Sequence, residues 1–114
     1  MVIASLSLVP AAQAHSSYCS PTGDYCTSVV TKRGAIYLTI GTFSFSGRYR
    51  LCVTPPRGKT SCESFRLRAG KYGIYNSAIR WSRHFPRAGK GTYRVKWKLP
   101  DGTRLGPLLS FTRG

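Results

Sequence analysis

Acidic side chains are nearly missing from this chain: three Asp or Glu among 114 residues, against eighteen Lys or Arg, for a formal net charge of +15. General acid–base catalysis draws on carboxylates and histidines, and Asp24, Glu63, Asp101, His15 and His84 are the whole stock. The three carboxylates lie far apart, in or beside turns, and Asp101 is explained as a turn residue. His84 precedes Phe85-Pro86 between Arg83 and Arg87, with no carboxylate near it in sequence to orient it. No serine sits in a G-x-S-x-G elbow and no phosphate-cradling glycine motif occurs. The expectation is a non-enzyme with no catalytic residue and no cofactor.

Long apolar runs are also missing. After residue 14 no stretch approaches the roughly 18 apolar residues of a membrane span. Residues 1–14 (MVIASLSLVPAAQA) carry no charge and end in Ala12-Gln13-Ala14, a small-x-small pattern that reads as a secretory signal peptide cut after Ala14. The basic start of such a leader is absent, so the leader is read as incomplete at its beginning. Residues 15–24 are then an N-terminal segment with a first disulfide loop, and 25–114 the folded domain. The mature protein is expected to be secreted, without a membrane span.

The four cysteines agree with an oxidising, extracellular compartment. Four admit three pairings. The local one joins Cys19 to Cys26 and Cys52 to Cys62 and closes two short rings, each worth about 2.5–3 kcal/mol. Intervals of six and nine residues do not match the usual zinc ligand pairs, so no metal site is expected.

At 41% hydrophobic and 12% aromatic residues, the chain is too apolar for a disordered polycation. Helical periodicity is not evident; alternation is. Residues 25–31, 35–40, 43–53, 61–68, 74–81, 92–99 and 103–112 read as seven short strands separated by turn signals, the pattern of an all-β antiparallel sandwich. Phe43, Phe45, Tyr49, Leu51 and Val53 share one face of the third strand. Tyr93, Val95, Trp97 and Leu99 share one face of the sixth. A hairpin at Pro100-Asp101-Gly102 sets Trp97 opposite Leu105 and Lys98 opposite Arg104. Pairing Cys52 with Cys62 sets Tyr49 opposite Phe65, Arg50 opposite Ser64, Arg48 opposite Arg66 and, less comfortably, Leu51 opposite Glu63.

Seven strands, a closing hairpin and Gly91-Thr92-Tyr93-Arg94-Val95 together resemble an immunoglobulin or fibronectin type III sandwich over residues 25–112, in architecture only. The resemblance implies a tyrosine corner at Tyr93. The inter-sheet disulfide of antibody domains has no counterpart. The hairpin staple at Cys52 and Cys62 is similar to that of neocarzinostatin-type apoproteins, secreted seven-stranded carriers, although the rest of the chain does not follow them. The whole also resembles small uncharacterised bacterial secreted domains. A shared fold assigns no function.

The positions of the cations are more informative. Arg48, Arg50, Arg66, Arg68, Arg94, Lys96, Lys98 and Arg104 all fall on the non-core parity of four strands that an immunoglobulin-like topology gathers into one sheet. Like charges directly opposite one another destabilise a sheet. The plain alternative is a solvated face in a basic protein. As a site, this face suits an anionic cell-envelope polymer or polysaccharide, or nucleic acid bound non-specifically, since no base-reading motif occurs. Two other functions fit the chain: a protein-binding or protease-inhibitor-like domain acting through loops 54–60 and 82–91, with Arg57 or Lys59 presented to an acidic pocket, and a carrier of a hydrophobic small ligand held between the sheets.

Overall fold

A computed structural model describes residues 12–113, with side chains from Ser16 onwards. Of the expected leader, residues 1–11 lie outside the described residues, and Ala12–Ala14 open the first strand. The elements are β1 (Ala12–Cys19), β2 (Tyr25–Lys32), β3 (Ala35–Thr42), β4 (Arg48–Thr54), β5 (Ser61–Arg66), β6 (Arg68–Ala69), β7 (Tyr75–Arg80), the single-turn helix α1 (Trp81–His84), β8 (Gly91–Lys98) and β9 (Arg104–Arg113). They form two antiparallel sheets, one ordered β1-β2-β3-β7-β6 and the other β5-β4-β8-β9. The fold is all-β and sandwich-like, with nine strands among the described residues where seven were expected.

The two additional strands have local causes. β1 occupies the segment expected as a leader end and a loop, and it pairs with β2 from Ala12 opposite Lys32 to Cys19 opposite Cys26. β6 arises because the expected strand 61–68 divides at Leu67. Gly47, at φ +87°, ends the ladder before β4, so β4 offers no partner beyond Arg48. The Leu67 N–H instead donates to the Gly47 carbonyl at 2.7 Å, and the chain crosses to the other sheet. The same turn cuts Phe43 and Phe45 from the expected strand 43–53. Phe43 is 60% exposed and Phe45 packs on the rim of the core, while the Thr42 hydroxyl accepts from the Ser44 N–H at 3.0 Å and so begins a turn.

Alternation does the rest. Val29, Ile36, Leu38 and Ile40 face inward from the first sheet. Tyr49, Leu51, Val53, Tyr93, Val95, Trp97, Leu105, Leu109 and Phe111 meet them from the second. Trp81, at the start of α1, plugs one end, edge-on to Tyr93 and Phe111, whose rings stack on each other at 5.0 Å. The hairpin registers expected for Cys52–Cys62 and for Trp97–Leu105 are those observed. Both local disulfides are formed, each joining residues directly opposite in a hairpin. Such bonds are consistent with an oxidising compartment.

Two tyrosine hydroxyls anchor the sandwich, one to a loop and one across the layers. Tyr93 Oη donates to the Gly89 carbonyl at 2.7 Å and accepts from the Ala88 N–H at 2.9 Å. Tyr49 Oη crosses from β4 to the opposite sheet, donating to Ser77 Oγ at 2.8 Å. Burial pushes the Tyr49 hydroxyl up to about 12, a shift the Ser77 hydrogen bond partly offsets.

Candidate anion-binding face

The second sheet buries one face and turns the other to solvent. Tyr49, Leu51 and Val53 fix the inward parity of β4, so Arg48, Arg50, Cys52 and Thr54 point outward. Register carries that parity across the sheet. Arg48 stands opposite Arg66, Arg50 opposite both Ser64 and Lys98, Cys52 opposite Lys96, Thr54 opposite Arg94, and Lys98 opposite Arg104. Seven of the eight cations singled out in the sequence therefore share one face. Neighbouring strands lie about 4.8 Å apart and same-face residues about 7 Å apart along a strand, which sets the grid on which these charges are anchored.

Arg68 is the exception. It lies on β6, opposite Asn76 of β7, and belongs to the outer side of the other sheet. The parity of Phe65 and Leu67 runs unbroken through the crossing, so alternation alone could not separate Arg66 from Arg68.

No acidic residue stands opposite any cation of this face in the register. Arg48 is the most constrained, its guanidinium donating to Ser64 Oγ at 3.0 Å and to the Ser64 carbonyl at 3.3 Å. Arg50, Arg66, Arg94 and Arg104 are exposed, whereas Lys96 and Lys98 are half-buried along their stems. Beside Lys96 the ladder is irregular. Val95 pairs with Leu109 and Trp97 with Leu105, so Gly106, Pro107 and Leu108 bulge opposite the one lysine. The Cys52–Cys62 bond crosses this face and ties the edge strand β5 to β4.

At one end of the sandwich the two loops considered as a separate site come together. Pro56 packs so closely on Gly91 that a Cβ there would meet it at 2.7 Å. Thr54 and Thr60 close the neck of loop 54–60 with a hydroxyl contact of 2.6 Å. Arg57 and Lys59 are exposed at that tip, and Arg87 and Lys90 are exposed in loop 82–91. Since Thr54 pairs with Arg94, loop 54–60 leaves from the end of the charged face, whereas Arg87 lines a separate hollow with Gly34, Arg80 and Arg113. Alternation had no means to find Arg87 and Lys90, which lie in irregular chain.

The opposite hairpin end is held by Asp101, whose carboxylate accepts from the Thr103 N–H at 2.8 Å. That backbone hydrogen bond, first among its causes, holds the Asp101 carboxyl below its ordinary range. Asp101 is thus a turn residue, as its sequence context suggested. Among the described residues no helix is long and apolar enough to cross a membrane. No family model, no curated protein and no solved structure matches this chain.

Proposed function

We propose that the protein is a secreted, non-enzymatic binding module that docks on an anionic polymer through the β5-β4-β8-β9 face. One observation carries the reading: seven cations on one sheet face, three of their register pairs cation against cation, with no acid interleaved. A surface that served only solubility gains nothing from placing Arg opposite Arg and Lys opposite Arg, an arrangement that costs stability. A polyanion laid across the strands turns that cost into binding free energy by releasing its counterions. Arg forks suit phosphate and carboxylate groups alike.

In the finer fold reading, the domain is immunoglobulin-like with an added N-terminal strand. The order β2-β3-β7-β6 facing β5-β4-β8-β9, and the Tyr93 hydroxyl bonded back to Gly89, support it. The carrier reading is less well supported, because Trp97, Tyr49, Tyr93 and Leu38 occupy the space between the sheets. The loop-acting reading keeps one specific support, the Pro56–Gly91 contact that brings both loops to one end.

The test is retention on heparin and on the producer's purified envelope as a function of salt. Seven cations meeting duplex phosphates would give a log–log salt slope of about −6. Reversal of Arg48, Arg50 and Arg66 to Glu should abolish retention at 0.15 M salt. Reversal of Arg68 alone, off this face, should weaken it far less. Equal loss from Arg68→Glu and from a single reversal on the face, such as Arg50→Glu, would show bulk charge to be sufficient and defeat the proposal.

A further inference from the structure

Three observations coincide at the outer edge of the first sheet, which adjoins the charged face at Arg66. β6 covers only the start of β7, with Ala69 opposite Tyr75 and Arg68 opposite Asn76. It cannot run further, because the chain arrives through buried Leu67 from the other sheet. Beyond Asn76, then, β7 has no strand beside it on that side among the described residues. The Ile74 carbonyl accepts from the Gly70 N–H at 2.7 Å, which fixes the side to which alternate residues turn their backbone groups. Ala78 accordingly presents its N–H and C=O outward at this edge, and Arg80 its N–H, the Arg80 carbonyl being the first acceptor of α1. Natural sheets usually shield such an edge.

The second observation is shape. A hollow of ≈ 810 Å³ runs beside β7, with Phe65, Leu67 and Ile79 as its apolar wall. A smaller one of ≈ 260 Å³ shares Ala78 and Ile79 and continues to Arg83 and His84 of α1. The His84 ring stands edge-on to Phe65 at 5.0 Å and closes the far end. The third observation is charge. Arg66 and Arg68 line one end of the pair of hollows, and Arg80 and Arg83 the other. Glu63, the acidic residue of β5, lies two positions from Phe65 and lines neither hollow.

From these we infer that the β7 edge takes an extended acidic peptide as an added strand. The peptide's backbone pairs with Ala78 and Arg80, its apolar side chains enter the hollow against Phe65 and Ile79, and its carboxylates meet Arg66, Arg68 and Arg83. Main-chain pairing supplies affinity in such strand addition, and alternate side chains supply selectivity. A second copy of this chain is the wrong occupant, because it would bring +15 of its own charge to a rim of arginines.

The probe is an acetylated, amidated hexapeptide of alternating Asp and Val, titrated into the 15N-labelled full chain at 0.15 M salt. The expected result is saturable shifts at the Ala78 and Arg80 amides, with slowed hydrogen exchange there. N-methylating the peptide amides that face β7 keeps every charge and removes the donors; binding should weaken about three- to tenfold, as the lost hydrogen bond to the Ala78 carbonyl implies. Arg68→Ser with Arg83→Ser should weaken the unmethylated peptide while leaving retention on heparin near wild type, which separates this edge from the charged face. Shifts confined to Arg48, Arg50 and Lys98, or an N-methylated peptide that binds equally well, would overturn the inference. So would concentration-dependent dimerisation through the same amides without peptide.

Discussion

Lys98 is the point of greatest self-repulsion in the charged face, since it opposes Arg50 on one side and Arg104 on the other. Charged tips about 7 Å apart in water repel by about 0.6 kcal/mol per pair before screening, hence about 1.2 kcal/mol for the two. At 0.01 M salt about four fifths of this survives, at 0.15 M less than half, and at 1 M about a tenth. Lys98→Met keeps the half-buried stem and removes the charge. The expected result is a gain of about 1 kcal/mol at 0.01 M salt, or about 4–8 °C in thermal midpoint for a domain of this size, shrinking toward nothing at 1 M. Lys98→Glu converts both repulsions to attractions and should show about twice the salt-dependent part. Circular dichroism melts of the three proteins at three salt concentrations measure it. Packing and strand propensity contribute offsets that salt does not change, so only the salt-dependent difference counts. A difference constant from 0.01 to 1 M would refute the claim that opposed cations strain this sheet, and with it the main support for a functional face.

Two further outcomes follow from single contacts. Because burial raises Tyr49 to about 12, its neutral form stabilises the fold fully below pH 10 and loses that contribution as pH rises through 12; wild type should lose about 3 kcal/mol over that window relative to Tyr49→Phe, read from chemical denaturation at stepped pH. Equal pH profiles for the two proteins would contradict the buried placement. Gly106 has φ +76°, and a Cβ there would lie 2.7 Å from the Tyr18 ring, whereas Gly102, at φ +96°, has open space around it. Gly106→Ala should therefore cost about 1–3 kcal/mol more than Gly102→Ala and expose Tyr18 to solvent, measured by denaturation and tyrosine fluorescence.

What alternation could read, it read well. Within β4 and β8 a buried residue every second position leaves one admissible register, and the cysteines and the Asp101 turn pin the two hairpins, β4–β5 and β8–β9. The rest depended on events that leave alternation intact. The crossing at Leu67 keeps the parity of Phe65, so Arg68 still reads as a member of the same face. Gly47 inside FSFSGRYR interrupts a pattern that continues on both sides of it, which hid the exposure of Phe43. β1 was obscured because Ala-Gln-Ala has the small side chains of a cleavage site as well as a backbone able to extend. It also earns its place late in the fold: after a bulge between Ala14 and Ser16, the Ser16 hydroxyl donates to the Ser110 carbonyl at 3.0 Å, a contact 94 residues away in sequence. No local window can show such an interaction.

The disulfide between Cys52 and Cys62 gains a role from its position on the charged face. Among the described residues β5 is an edge strand, paired only with β4, and that pairing includes the repulsive couple of Arg48 with Arg66. Its inward side contributes little burial: Phe65 is half-buried and Glu63 exposed. Hydrophobic packing therefore holds β5 weakly, while closing the ring between the two cysteines restricts the unfolded chain by about 2.5–3 kcal/mol, several times the repulsion of one cation pair. The bond thus lets the sheet keep a fourth strand and its cations. Cys52→Ala with Cys62→Ala should lower global stability by about that amount, and native-state hydrogen exchange should show β5 opening first, more readily at low salt than at high. The matching removal of Cys19 and Cys26 should cost a similar amount without that salt dependence, since no cation pair faces itself across β1 and β2 next to the bond. If β5 exchanged as slowly as β8 in the doubly substituted protein, edge packing rather than the disulfide would be holding the strand.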